Sequence, residues 1–443
     1  MKGLLRIDRL AAAALLLVSL SFLAGCASLG QNSIKNDVSA ITASGEIPDS
    51  ELLNVAIEVF DPGSLPDDPQ ERMGLSEEIR QAEAVFYAVH LKDTLQNSGY
   101  WGSVWVVPKG DVMEDLVVTG RIQYSDGERL ALKIKATDAR GIVWIDKTYC
   151  ETCTRKEREE ARIEKADAFQ DLFNAISNDL IAYRLKLNTR ELVNIHRLSE
   201  MRFAMSMAER PFGYYCQRDK DGRFVLTGLP AQNDPMYKRV RAIRARDEML
   251  MDVLTAYYDN FYQQLWTPYQ DWRKFRSEEL ESMRKIRHKA LATQLLGVAA
   301  IAGSVLLGIT GDDDTARAVA PVREILAAGG VAAIYTGHQM RKDAKMNEEA
   351  IKELGESLSS DAGPLLVKVK GDTLRLTGTA KEQYATWRSL LRDIYRQETG
   401  SIEDLPQIVG QENPELQTKG DTTPDQRPKS KENPSQKGPQ KTK

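Results

Sequence analysis

The sequence predicts an α+β chain, predominantly helical: an N-terminal α/β domain, a helical body carrying a small-residue helical hairpin, and a small C-terminal αββα domain. Three observations predict it. Between residues 51 and 154, short apolar runs with period-2 alternation are separated by Gly, Pro and Asp, around one helical stretch. From 155 to 342 apolar residues recur every three or four positions almost throughout. This region is charged and aromatic at first (155–289), then rich in Ala and Gly (290–342). From 343 to 403, two short alternating runs sit between two helical ones.

In the first region Leu52–Phe60 reads as a strand, and Asp61–Arg72, with three prolines, as a loop. Ser76 begins a helix whose first turn holds Glu77 and Glu78, where carboxylates complement the helix dipole. Ile79, Ala82, Val85, Phe86, Val89 and Leu95 give it an apolar stripe, and Ser98-Gly99 ends it. Ser103–Pro108, Leu116–Tyr124, Leu130–Ala136 and Ile142–Tyr149 read as strands, with turns at 125–127 and 138–141. The expected order is strand, helix, then antiparallel meander. Alternation sends Leu130, Leu132 and Ile134 to one face and Ala131, Lys133 and Lys135 to the other.

In residues 155–289, Lys156–Leu185 and Thr189–Ala208 read as helices. Asp219-Lys220-Asp221-Gly222 reads as a hairpin turn; without the downstream Glu and flanking helices of a calcium loop, it is not a calcium site. Asp234-Pro235 starts another helix that reaches about Arg287. Its aromatic residues (Tyr257, Tyr258, Phe261, Tyr262, Trp266, Tyr269, Trp272 and Phe275) fall mostly on one stripe, which reads as core or a partner groove.

Ala290–Thr310 holds no charge, and Asp312–Asp314 can cap a second helix, Thr315–Met340. Small residues recur every fourth position, Ala300, Ser304 and Gly308 on one helix and Gly329, Ala333 and Gly337 on the other. Such ridges allow close backbone approach, in a packed soluble hairpin or in membrane association or oligomerisation. Arg323 and Glu324 weigh against a two-span hairpin, because charge within a span is costly. In residues 343–403, Glu348–Leu358 and Ala380–Gln397 read as helices around strands Leu365–Val369 and Thr373–Thr379. Residues 404–443 form a polar tail, basic at its end, with too few apolar residues to fold.

Composition and motifs exclude several functions. With 60 basic and 64 acidic residues, nothing argues for a nucleic-acid partner. The histidines (His90, His196, His288 and His338) lack ligand spacing, and no phosphate loop, nucleophile elbow or H-E-x-x-H occurs. No catalytic, cofactor-binding or metal site is therefore expected, and the protein reads as a non-enzyme. Cys150-Glu-Thr-Cys153 has redox-motif spacing but no thioredoxin-like frame. The expectation is a disulfide, Cys150–Cys153 or one of these with Cys216.

Lys2, Arg6 and Arg9 precede the uncharged run Leu10–Leu23, the two parts of an export signal. Leu23-Ala24-Gly25-Cys26 resembles the lipobox of bacterial lipoproteins. The resemblance implies that residues 1–25 are removed and that Cys26 receives a diacylglycerol and an N-acyl chain such as palmitate, which anchors it stably. Ala27, in place of Asp, implies sorting to the outer membrane, facing the periplasm. Residues 26–50 would be a tether. The run LNVAIEVF, the helix, SGYWGSVWVVP, DLVVTGRIQYSDG and LALKIKATDARGIVWIDKTY (within 51–154) resembles the small periplasmic α/β adaptor domain. That domain is shared by the TolB N-terminal region, the curli-secretion lipoprotein and lipoprotein activators of cell-wall synthases. It implies protein partners and brings no catalytic residues. The Ala/Gly hairpin resembles glycine-zipper hairpins of outer-membrane lipoproteins, and VKVKGDTLRLTGTAKEQYATWRSLL resembles the BON domain of envelope proteins. Together they imply a lipid-anchored envelope protein with a scaffold, assembly or accessory role. The alternatives are a channel-type homo-oligomer built through the hairpin and, less favoured, an envelope glycan or peptidoglycan hydrolase.

Overall fold

The structure is a computed structural model that describes residues 34, 37–67, 72, 75–164, 166–306, 346–356, 365–369 and 372–399. The signal segment, Cys26, the second helix of the hairpin and the tail lie outside these residues.

Five strands, β1 (Leu53–Glu58), β2 (Trp101–Val107), β3 (Leu116–Ser125), β4 (Arg129–Asp138) and β5 (Val143–Thr152), form one sheet in the order β2-β1-β3-β4-β5. Helix α1 (Glu77–Ser98) joins β1 to β2. Ser76 Oγ accepts from Ile79 N at 3.3 Å to start it, and Gly99 ends it at φ 72°, a conformation that suits glycine. The meander expected from the sequence holds only for β3, β4 and β5, which pair antiparallel. Both β2 and β3 pair with β1 in parallel, one on each side. Parallel neighbours need a crossover connection, and α1 supplies the one between β1 and β2. As alternation predicts, Leu130, Leu132 and Ile134 are buried and Lys135 is exposed; on that second face, however, Ala131 is buried and Lys133 half-buried.

The expected single helix over 156–185 is two, α2 (Arg155–Glu164) and α3 (Gln170–Arg184). Asp167 breaks it: its Oδ1 accepts from Phe169 N at 2.9 Å, a side-chain-to-backbone turn that competes with helix. Ile163 of α2 is exposed. Helix α4 (Thr189–Met207) starts at a capping box made by Asn188 and Glu191. A short α5 (Glu209–Phe212) leads to the hairpin of β6 (Cys216–Arg218) and β7 (Phe224–Leu226), where the sequence placed it.

Helix α6 (Pro235–Leu306) spans 72 residues and passes position 289 without a break. Lys289-Ala290-Leu291-Ala292 are good helix formers, and the change from charged to apolar composition is no stop signal. Ala300 and Ser304 lie in its last turns; Gly308, Gly329, Ala333 and Gly337 lie outside the described residues. Among the described residues no helix is long and apolar enough to cross a membrane. The aromatic stripe of α6 is core: Tyr258, Phe261, Tyr262, Tyr269 and Trp272 are buried.

The tether expectation needs correction where the segment is described. Three side chains at helical spacing on α3 hold it. Asp171 Oδ2 accepts from Asp37 N at 2.6 Å, and Asn174 Nδ2 donates to Val38 O at 2.7 Å. Asn178 accepts from Ile41 N and donates to Ser39 O, at 2.8 and 2.9 Å. Ile34 N reaches Cys150 O of the edge strand β5, and Ala43 N reaches Ser98 O at the end of α1, both at 2.8 Å. Residues 37–43 are a strap on the body rather than a free leash.

The C-terminal part keeps the predicted αββα order: α7 (346–356), β8 (Leu365–Val369), β9 (Asp372–Leu376) and α8 (Ala380–Thr399). Helix α8 is docked on the body, with Trp387, Leu391 and Ile394 buried. Asp247 of α6 accepts from Trp387 Nε1 at 3.2 Å and from Arg388 Nη1 at 2.7 Å, both in buried surroundings. Asp247→Ala therefore strands the Arg388 charge and should cost about 3 kcal/mol in urea unfolding. Trp387→Phe, which keeps the pair, should cost much less; equal losses would show that Asp247 contributes nothing through Arg388.

Candidate functional site

The densest group of chemistry-bearing side chains lies where α6 crosses α1. Arg273 of α6 is fully buried, and its Nη1 donates to Asp167 Oδ2, also fully buried, at 2.7 Å. Gln270 Nε2 donates to the same oxygen at 3.1 Å. The Arg273 guanidinium lies 4.2 Å from the Tyr269 ring centroid and 4.9 Å from that of Phe169, a cation held among aromatic faces. Burial pushes the Asp167 carboxyl up, but the Arg273 charge and the Phe169 N–H more than offset this and hold it below its ordinary value.

From Arg273 a chain of hydrogen bonds runs into α1. Arg273 Nη2 donates to Tyr87 Oη at 3.3 Å, and Tyr87 shares bonds with Tyr269 Oη (2.6 Å) and Ser125 Oγ (3.1 Å). Tyr269 Oη and Ser125 Oγ both donate to Glu83 Oε1 at 2.6 Å. Arg80 completes the group, 3.4 Å from Glu83 Oε2 and donating to Ser125 O at 2.9 Å. One turn further along α1, His90 Nε2 donates to Gln170 Oε1 (2.9 Å), so its Nδ1 accepts from Tyr262 Oη (2.8 Å). Burial pushes the His90 pKa down, which favours this neutral tautomer. Glu83 Oε2 faces Arg80 and accepts no hydrogen bond; the hydroxyls and the other carboxylate oxygens named here bond side chains or backbone of neighbouring elements, so the arrangement holds helices together.

Beside it, α2 and α6 enclose a cleft of ≈ 440 Å³. Arg155, Arg158, Arg162 and Lys274 line it together with Glu159, Asp271, Glu278 and Trp266. Arg158 is buried, bonded through its Nη atoms to Ser277 Oγ and Cys153 O. The cleft is of ligand size, but its charges are mixed, and Arg162 is already paired with Glu159 at 2.8 Å.

A second polar centre sits at the other end of the sheet. Asp115, fully buried, accepts from His196 Nδ1 and Asn54 N, both at 2.9 Å, and Ser199 Oγ donates to its other oxygen. Arg244 pairs with Glu114 at 3.0 Å. Asp, His and Ser meet here, but the serine and the histidine bind the same carboxylate. The imidazole does not stand on the hydroxyl, so this trio is not a nucleophile–base relay. Sequence spacing could not bring Asp115 and His196 together.

Among the described residues, no disulfide joins Cys150, Cys153 and Cys216. Cys150 and Cys153 are three residues apart at the end of an extended strand, where side chains point to opposite faces, and Cys216 belongs to a separate hairpin. Burial pushes all three thiols up, Cys153 to about 12, the opposite of an activated redox cysteine. No group of three His, Cys, Asp or Glu side chains among the described residues could hold a metal ion. No family model, no curated protein and no solved structure matches this chain.

Two outcomes follow from these groups. Asp167→Ala leaves Arg273 buried without its counter-charge and should cost about 3–5 kcal/mol; the double variant Asp167→Leu/Arg273→Met should recover most of it in the same urea titration. Glu151 on β5 is buried near Asp171 and Asp167, and burial pushes it up to about 8 although Leu172 N donates to it. A raised carboxyl stabilises fully below its unfolded value near 4.5, and that contribution is lost as pH rises towards about 8. Urea midpoints should thus fall between about pH 5 and about pH 8, and Glu151→Gln should flatten the fall by more than about 1 kcal/mol. An unchanged slope would mean that Glu151 is ionised throughout.

Proposed function

We propose that this is a lipid-anchored envelope protein, acylated at Cys26 after removal of residues 1–25. In this reading it is held at the outer membrane, faces the periplasm, and acts without catalysis as a scaffold or accessory subunit for other envelope proteins. The observation that carries the reading is the lipobox Leu23-Ala24-Gly25-Cys26, placed directly after an uncharged apolar run with basic residues in front. An acyl anchor does what a transmembrane segment would otherwise do, since the apolar run is shorter than the roughly 20 residues needed to span a bilayer.

Two features support the non-catalytic part. The polar side chains of the α1–α6 crossing are consumed in holding helices. A mixed sheet with helices packed against it is also in keeping with the adaptor-domain resemblance of residues 51–154, as the C-terminal αββα order is with the BON-like pattern of residues 343–403.

Chemical cross-linking of the acylated protein in intact cells, followed by mass spectrometry, tests the reading, with Cys26→Ala as the unanchored control. Reproducible links to one envelope complex that disappear in the control are expected. The same links with Cys26→Ala, or links to cytosolic proteins, would refute it.

A further inference from the structure

The structure points to one end of the body as its lipid-facing surface, and we propose that this end docks on a bilayer containing anionic phospholipid. The proposal rests on the lipid-anchor reading above and names the surface that the anchor presents.

Two segments fix the end independently. Helix α6 enters beside Glu114, where Arg244 pairs with it just before β3. It leaves beside the β3–β4 turn, where both Nη atoms of Arg284 donate to the Glu128 carboxylate at 2.7 and 2.8 Å. From there it continues to Leu306, about 33 Å further. The strap runs the other way. Followed towards the N-terminus it passes Ser98, Asn178 and Asp171 and arrives at Cys150 through Ile34. That stretch of β5 adjoins the same turn, because Cys153 N donates to Glu128 O at 2.8 Å. Eight residues separate Ile34 from Cys26, a reach of at most about 28 Å. Ile34, the described residue nearest Cys26 in sequence, and the stretch of α6 beyond Arg284 therefore lie at one end of the sheet.

The chemistry of that end suits a membrane interface. Residues 284–289 carry Arg284, Lys285, Arg287 and Lys289 with no acid among them, directly before the uncharged run that starts at Ala290. Ile286, 56% exposed, sits within this group. Cations next to exposed aliphatic side chains are what an anionic headgroup layer attracts. Two of these cations already hold acids, Arg284 with Glu128 and Lys285 with Glu281, so the excess positive charge of the segment comes from Arg287 and Lys289. The opposite end offers an internal reference. There the β6–β7 hairpin bonds the β4–β5 turn through Phe224 N and Arg140 O, and Tyr214 is 71% exposed.

The experiment places a photo-cross-linking amino acid at Ile286 or Tyr214 of the full-length chain in cells, and identifies captured lipid by mass spectrometry. Phospholipid should be captured from position 286 and not from 214. In parallel, the purified Cys26→Ala chain is floated with phosphatidylcholine vesicles with or without phosphatidylglycerol. Binding should require phosphatidylglycerol, weaken with salt, and fall by about tenfold or more in Lys285→Glu/Lys289→Glu. Equal capture at both positions, capture of protein in place of lipid at 286, or equal binding to neutral vesicles would overturn the proposal. The mass of the mature N-terminal peptide reports acylation separately. An unacylated chain thus defeats the anchor reading, while the vesicle result still decides the surface.

Discussion

The constraint on which the rest of the structure depends is that α1 has no solvent face. The sheet lies on one side of it and α6 and α3 on the other, so 16 of its 22 residues are buried, including Arg80, Glu83, His90 and Lys92. Buried polar groups are costly unless each finds a partner. The partners come from far along the chain: Tyr262, Tyr269 and Arg273 from α6, Gln170 and Asp167 from the start of α3, Ser125 from β3. Forming α1 in its place therefore requires the sheet, α3 and α6 together, and the Arg273–Asp167 pair is the point where the three helical segments meet.

The same arrangement closes the edges of the sheet. Strand β2 would expose backbone groups on its outer side, but Thr255 Oγ1 of α6 bonds both Val106 N and Val106 O, and Asp252 takes the Trp105 indole N–H. At the far edge, Ile34 bonds β5, and the strap continues along α3 from there. Open strand edges invite pairing with other chains, so both coverings restrict the sheet to its own strands.

How much of this was legible in the sequence depends on the range of the interaction. Helix α1, with Ser76 at its start and Gly99 at its end, the turns at 125–127 and 138–141, the β6–β7 hairpin and the C-terminal αββα order are all set by local capping, turn and alternation chemistry, and all were readable. The parallel placement of β2 was not, because its hydrophobic run reads the same whichever side of β1 it joins. The inner polar half of α1 was also hidden. Arg80, Glu83 and His90 on a helix read as solvent-facing until a second helix with complementary groups is known to cover them. For the strap, Asp171, Asn174 and Asn178 do form a visible stripe on α3, but nothing local says that it binds a peptide rather than water. Of the candidate site residues, Cys26 and Gly308, Gly329, Ala333 and Gly337 fall outside the described residues, so their roles rest on sequence alone.

The two polar centres have a joint consequence. Arg244 at Glu114 and Arg273 at Asp167 tie α6 to opposite ends of the sheet, 29 residues apart in sequence and thus about 44 Å along the axis. Between them Asp252, Thr255, Tyr262 and Tyr269 hydrogen-bond β2 and α1. A one-turn shift would break these bonds and unpair two buried arginines at once, each an expensive loss. A buried pair is weak as a source of net stability but strong as a selector of register. Fixing the register of α6 at both ends also fixes the direction in which its last turns leave the body, and with it which end of the sheet the following apolar segment extends from.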